Sequence, residues 1–477
     1  MPRYDFAPHM TTRPKQLSGP PQIRLRASEP DRRFLRLFER RPPALELPGS
    51  RSIANRALVA AALAEGKSKL AGITACDDTL AMCEGLKALG VQIEHFPRGK
   101  SLRETWQVTG LAGGLRAPQA AIDVGASGTT ARFLSAAAAL ADGPVTLDGS
   151  PRMRERPIEE LADALCQLGA RAEVLGKNGC PPLLVQGAPG GYLSSGKETV
   201  KVEVDASRSS QFASALLLIA PCIGHRVELH IRDGALVSRP FVDLTLQVMR
   251  SFGAKPDWSG NSTLVIPPVR YKAKNFTIEF DAQAAVYAFA AAAIRGDSVE
   301  AKLPGNSLQA DLGVLGALQG MGCRVTRKRR SIRLHGPNRE NGGGLRGIEV
   351  DGNAWPDAVL ALAVVAIFAK GPTTIEGIAN LRLKESNRLE ALRNGLRKLG
   401  ARTRVGEDYL CIEPPRNKQK LRSASLHTYD DHRMAMSLAL AGLRIPKVSI
   451  RNPRCVTKTW PGFFEAPTLK ALGLSVS

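Results

Sequence analysis

Six times along the chain, two large apolar residues three positions apart are followed at once by glycine. The pairs are Leu86/Leu89, Leu165/Leu168, Met249/Phe252, Leu318/Met321, Leu396/Leu399 and Leu469/Leu472; the glycines are Gly90, Gly169, Gly253, Gly322, Gly400 and Gly473. Apolar residues at i and i+3 share a helix face, and glycine just past them readily takes the left-handed conformation that ends a helix. Short strand-like runs follow most of these glycines, such as Val91-Gln92-Ile93 and Cys323-Arg324-Val325. Neighbouring glycines lie 79, 84, 69, 78 and 73 residues apart. Six near-even marks predict an architecture built by repeating one α/β unit. Division into three plus three places the seam between the third and fourth units, at 276–281.

A chain of 477 residues is too long for one ordinary core, so two domains are the minimum. From Leu47 onward, Ala/Leu-rich helical segments alternate with Val/Ile-rich strands, and no long linker intervenes. Helices are predicted at 52–65, 129–140, 209–220, 284–294, 355–368 and 433–440, and a strand near 70–73. Many of these helices are apolar around most of their surface, which predicts helices buried inside each domain. Residues 1–44 read as a separate basic extension that no repeat unit enters. Residues 1–43 hold ten Arg/Lys against four Asp/Glu. A short basic amphipathic helix is expected at 31–41, and a secretory core is missing.

The formal net charge of +22 is the strongest compositional signal. Aromatic residues make up only 5% and are not interleaved with Arg/Lys runs, as a base-stacking surface requires. No nucleic-acid partner is therefore expected. The longest apolar run, 358–369, has 12 residues, too few to span a bilayer, so no membrane partner is expected either. Eight scattered cysteines without a C-x-x-C pair fit reduced thiols in a cytoplasmic compartment; no structural metal is expected.

The cations recur in short motifs with Gly, Ser and Pro. Gly49-Ser50-Arg51-Ser52, with Arg56 one turn on, leads a turn into a helix whose N–H groups and dipole favour an anion. Gly125-Ala126-Ser127-Gly128 repeats the device. Arg152, Arg154 and Arg156 alternate and would share one face of an extended segment. Ser207-Arg208-Ser209-Ser210-Gln211 offers hydroxyls and an amide to a phosphate or a sugar-like ring. The second half sets carboxylates beside cations. Asp357 follows Pro356 at a helix start, where it is a base candidate or an N-cap. Lys384, Glu385 and Arg388 lie within one turn, Asp431-His432-Arg433 opens a helix, and Lys458 follows Thr457. Several cations with two candidate acid/base carboxylates suit chemistry on two anionic substrates with no metal or other cofactor.

Together these motifs resemble the 5-enolpyruvylshikimate-3-phosphate synthases, a family of enolpyruvyl transferases. The likeness runs over 47–464. It is strongest at Arg152-Met153-Arg154-Glu155-Arg156-Pro157, Ser209-Ser210-Gln211, Lys384-Glu385-Ser386-Asn387-Arg388 and Asp431-His432-Arg433-Met434-Ala435-Met436. It implies an α/β fold of two inside-out α/β barrel domains, each of three β-α-β-α-β-β units around internal helices. Here the domains would be 46–280, and 282–477 joined by a short strand near 45–49, with the active site between them. It implies transfer of the enolpyruvyl group of phosphoenolpyruvate to the 5-hydroxyl of shikimate 3-phosphate, on the shikimate route to aromatic amino acids, by a monomer.

Carried over residue by residue, the resemblance gives shikimate 3-phosphate the contacts Arg51, Ser52, Arg56, Ser209, Ser210, Gln211, Ser238, Asp357, Asn380 and Lys384. Phosphoenolpyruvate would meet Arg51, Gly128, Arg156, Gln211, Arg388, Arg433 and Lys458. Asp357 would act as base on the 5-hydroxyl and Glu385 would exchange a proton with the methylene carbon. Lys458 and His432 complete the catalytic set, His432 as a relay or a structural hydrogen-bonding group. Three positions depart from the family pattern: Arg51 where Lys is usual, Ala126 where Asn is usual, and Phe241 where Tyr is frequent. They raise the alternative of a diverged, weakly active homologue. The related transferase acting on UDP-N-acetylglucosamine needs a reactive cysteine near its Arg-Pro loop, and 152–160 holds none. An RNA-end-processing enzyme on a related repeat fold, such as the RNA 3′-phosphate cyclases, is favoured by the +22 charge but not by the carboxylate motifs. A plastid-targeting role for the basic leader is the alternative to a cytoplasmic location.

Overall fold

The computed structural model describes residues 22–28, 45–99, 101–187, 199–337, 343–415 and 421–476. The helix expected at 31–41 lies outside the described residues, with most of the basic extension.

All six marked glycines have positive φ, from 83° at Gly473 to 106° at Gly322, so each spacing mark is a helix stop. The strands that follow are Gln92–Phe96, Arg171–Val174, Asp257–Ser259, Arg324–Arg327, Arg402–Val405 and Leu474–Val476. They fall one to each of six separate small sheets, and no closed barrel forms among the described residues. In five sheets this strand folds back antiparallel on its successor in the chain, as Gln92–Phe96 does on Glu104–Leu111.

The sixth strand pairs instead with Gln22–Ala27. Leu25 lies opposite Val476 and Ala27 opposite Leu474, while Ile23 pairs with Ile450 on the other side. The segment Gln22–Ala27 of the basic extension is therefore part of the repeats: it is an inner strand of the sixth sheet. Its alternation puts Leu25 in the core and Arg24 and Arg26 in solvent. Six residues with two arginines carry too little period-two signal to be read as a strand when the partners lie at the other end of the sequence. The strand expected near 45–49 reduces to a single bridge between Gly49 and Phe280.

The apolar residues form two clusters. One runs from Ile53 to Ile278; the other takes Leu25, Leu47 and residues from Ala282 to Leu474. The helices sit inside them, as the patterning predicts. In Arg51–Leu63, eleven of the 13 residues are buried, because alanine-rich faces let helices approach on every side. The chain crosses between the clusters twice, and the crossings are paired. Ser50 N donates to Glu279 O (2.8 Å) and Asp281 N to Pro48 O (2.8 Å). Gly49 is required here, since a Cβ would collide with the carbonyl of Gly72. No helix among the described residues is long and apolar enough to cross a membrane.

Candidate active site

The cleft between the two cores is built from helix starts and turns, where backbone donors are free and the chain can bend a side chain inward. On the first side Arg51, Ser52 and Arg56 open the helix Arg51–Leu63. Arg56 donates Nε to Thr245 Oγ1 (2.7 Å), Nη1 to Ser52 O (2.8 Å) and Nη2 to Phe241 O (3.1 Å), and lies over the Phe133 ring. Held by neutral acceptors alone, it is pulled by burial down to about 9. Gly128 opens the helix Gly128–Ala138, whose N-cap Ser127 accepts from Thr130 N. Ser209 caps Ser210–Ile219, and Gln211 reaches Thr129 Oγ1 at 3.2 Å. Ser238 holds φ at 54° and donates to Asn353 O across the cleft (3.1 Å).

The three alternating arginines do not share a face. Met153–Glu155 is a tight 3₁₀ turn that fans them apart. Arg152 donates to Lys384 O on the other side (2.9 Å), Arg154 pairs with Asp148 (2.9 Å), and only Arg156 lines the cleft. A Cβ on Gly128 would lie 2.5 Å from Arg156 Nη2, so that glycine makes room for the guanidinium.

The second side is a network of charges. Arg388, fully buried at 0% exposure, opens the helix Arg388–Lys398 and touches three carboxylates. Its Nε donates to Asp431 Oδ2 (2.7 Å), Nη1 to Asp357 Oδ1 (2.7 Å) and Nη2 to Glu385 Oε2 (2.8 Å). Arg433 Nη2 lies 2.9 Å from the other oxygen of Asp357. Lys458 donates to Glu385 Oε1 (2.7 Å) and, across the cleft, to Ala126 O (2.8 Å). Asp357 does not cap a helix: it stands in a turn before Val359–Ala366, whose N-cap is Ala358. Its carboxylate is left to the arginines.

Burial alone would raise the Asp357 carboxyl, but Arg433, Lys384 and Arg388 hold it well below the usual range. The same opposition, led by Lys458 and Arg388, keeps Glu385 ionised. Burial, then Arg433 and Lys458, push His432 well below its ordinary value. Its ring is fully buried and neither nitrogen has a hydrogen-bond partner, so at neutral pH it is an uncharged imidazole with no hydrogen-bonded neighbour to exchange a proton with. Lys384 is lowered, chiefly by burial.

Of the residues expected here, Arg51, Ser52, Arg56, Gly128, Arg156, Ser209, Ser210, Gln211, Ser238, Asp357, Asn380, Lys384 and Glu385 all line one cleft. Arg388, Arg433, His432 and Lys458 form its rear wall through Asp357, Glu385 and the segment at Asp431. The lining brings Arg51, Arg56, Arg156, Arg208 and Lys384 against Asp78, Asp357 and Glu385, a positive balance that suits anions. Two acids went unassigned in the sequence. Asp78 is buried and ion-pairs with Arg51; beside Asp77 in a helix's first turn it reads as ordinary dipole pairing. Asp431 caps His432–Ala439 while gripping Arg388, a double duty that no spacing reveals. Among the described residues no group of three His, Cys, Asp or Glu is placed to hold a metal ion.

The family model of EPSP synthase (3-phosphoshikimate 1-carboxyvinyltransferase) matches residues 43–466. A 3-phosphoshikimate 1-carboxyvinyltransferase of Paraburkholderia phytofirmans is 40% identical over 442 residues, 91% of this chain and 98% of its own length. One of Thiobacillus denitrificans is 41% identical over 428 residues, 88% of this chain and 95% of its own. Among solved structures, an EPSP synthase of Acinetobacter baumannii superposes with a TM-score of 0.73 at 25% identity, covering 95% of this chain and all of that one.

Proposed function

The chain belongs to the EPSP synthase family, and we propose that its cleft carries out the family's reaction with the residues just described. The enzyme transfers the enolpyruvyl group of phosphoenolpyruvate to the 5-hydroxyl of shikimate 3-phosphate, releasing phosphate. The single observation that carries the assignment of roles is the facing of Asp357 and the Lys458–Glu385 pair, 2.7 Å apart, by the anion-binding turns of the first core. The two cores, Ile53 to Ile278 and Ala282 to Leu474 with Leu25 and Leu47, are taken as two domains, and the enzyme as a cytoplasmic monomer.

In this reading shikimate 3-phosphate occupies Ser52, Arg56, Ser209, Ser210, Gln211, Ser238, Asn380 and Lys384. Phosphoenolpyruvate lies between Gly128, Arg156, Gln211 and the rear cations Arg388, Arg433 and Lys458, with Arg51 reaching both. Ionised Asp357 accepts the 5-hydroxyl proton as the oxygen attacks C2. The proton held between Lys458 and Glu385 goes to C3, giving a tetrahedral adduct. A C3 proton then returns to the pair, the C2–O bond to phosphate breaks, and the hydroxyl proton departs on phosphate. Positive groups around a closed site stabilise charge where it develops. Because Glu385 is ionised at rest, the proton for C3 resides on Lys458, and Glu385 holds that ammonium in place. His432, neutral and buried, keeps the wall dry.

The test is phosphate release from phosphoenolpyruvate and shikimate 3-phosphate by the purified chain. Asp357→Ala is expected to lower turnover by about 10²–10⁴, the range of general-base catalysis. Undiminished release in that variant, or none in the parent, overturns the reading.

A further inference from the structure

The segment Gln309–Gly313, buried as far as Leu312, belongs to no motif of the cleft, yet it joins the seam to Asp357. Gln309 Nε2 donates to Phe280 O (2.8 Å) and Glu279 Oε2 (3.0 Å), and its Oε1 accepts from Ala282 N (2.9 Å). Gly313 lies so close to Trp355 that a Cβ there would collide with the indole, and Trp355 sits two residues before Asp357. Between these anchors the 3₁₀ turn Ala310–Gly313 carries Asp311, 5% exposed. Its Oδ1 is buried without a hydrogen-bond partner, which costs a carboxylate far more than a neutral acid. Two carboxylates, Asp357 and Asp281, disfavour its charge, and two guanidinium groups, Arg433 and Arg51, favour it. Burial leads, Asp357 adds to it, and together they push the carboxyl up to about 7.

We propose that Asp311 is a positioning residue for the transfer: protonated, it leaves the Arg433 guanidinium to Asp357; ionised, it competes for that guanidinium and disorders the base. One proton is gained or lost at Asp311 and no other bond changes. The inference rests on Asp357 as the base, so its test has an arm that needs no turnover. In the substrate-free protein, infrared difference spectra between pH 6 and pH 8 are expected to contain a protonated-carboxyl band that disappears at pH 8 and is absent from Asp311→Asn. In the kinetic arm, wild-type kcat is expected to fall up to about tenfold between pH 6 and 8, as for one group of midpoint 7, and Asp311→Asn, which mimics the protonated acid, to lose that limb. Where the Asn variant does not fold, Asp311→Glu is expected to keep the limb with a moved midpoint. No Asp311-dependent band, a limb unchanged in Asp311→Asn, or an unmoved midpoint in Asp311→Glu overturns the proposal. A band without any phosphate release leaves Asp311 standing and sinks the assigned reaction instead.

Discussion

The two cores hold their buried arginines in opposite ways. In the first, Arg56 and Arg132 rest on carbonyls, a hydroxyl, a thioether and aromatic rings, and burial lowers both to about 9. In the second, Arg388 is as deeply buried but is driven upward: burial opposes its charge, and Asp431, Glu385 and Asp357 outweigh it. An arginine on neutral acceptors keeps an uncancelled positive field that an incoming anion can satisfy. One ringed by carboxylates has less of that field to offer an anion, and it also keeps those carboxylates ionised and aimed. The contrast gives the proton-transfer groups to the second side, while both sides supply groups that bind the anions.

The comparison breaks most violently at Arg388. Arg388→Met strands the fully buried Asp431 and takes one of two cationic partners from Asp357 and from Glu385, and losing one partner of a buried ion pair costs about 3–5 kcal/mol, so the urea midpoint should drop and phosphate release vanish. Arg56→Met strands no charge; a stability loss of about 1–3 kcal/mol is expected from unpaired acceptors, with a raised KM for shikimate 3-phosphate as its main signature. Equal losses at both positions would dissolve the distinction. Next in size, Gly128→Ala presses on Arg156 and should raise the KM for phosphoenolpyruvate about ten- to hundredfold, matching the 1–3 kcal/mol of overpacking, with the fold unchanged by circular dichroism.

A pH series sharpens the account of the second side. Glu385 is held below its unfolded value of about 4.5, so its stabilisation is present above that pH and is lost as pH falls through the folded value. The stability gap between wild type and Glu385→Gln, read from urea unfolding, should therefore close as pH falls from 6 to 3. A gap independent of pH would mean that the Lys458–Glu385 pair contributes no charge-dependent stability. The smallest effect is expected at Arg51→Lys, which keeps the charge beside Asp78 and should hold or raise turnover by no more than about threefold. A large loss would mean that this site has been rebuilt around guanidinium.

The repeat frame was legible because a helix stop needs a positive φ, and glycine announces it in the sequence at Gly90 as clearly as at Gly473. The site residues were legible as motifs because each lies at a helix start or a tight turn, where residue choice is constrained locally. What escaped depended on distance in sequence. Gln22–Ala27 finds its partners only in three dimensions, Asp431 serves a helix and Arg388 at once, and Asp311 looks like any acid in a turn until its burial is known. The alternation of Arg152, Arg154 and Arg156 misled for the converse reason: period two means a shared face only in extended chain, and Pro157 closes a tight turn instead.

The pairing of Gln22–Ala27 with Leu474–Val476 has a consequence in time. A strand made before either core finds one of its two partners only after both cores have been synthesised. The first core can condense while translation continues, but the second stays incomplete, with Lys458 itself among the late arrivals. Until then the early strand has exposed backbone groups and a leucine in need of cover. An unpaired strand is open to off-pathway pairing until its partners arrive, and the half of the cleft that moves protons follows the other half in the order of the chain.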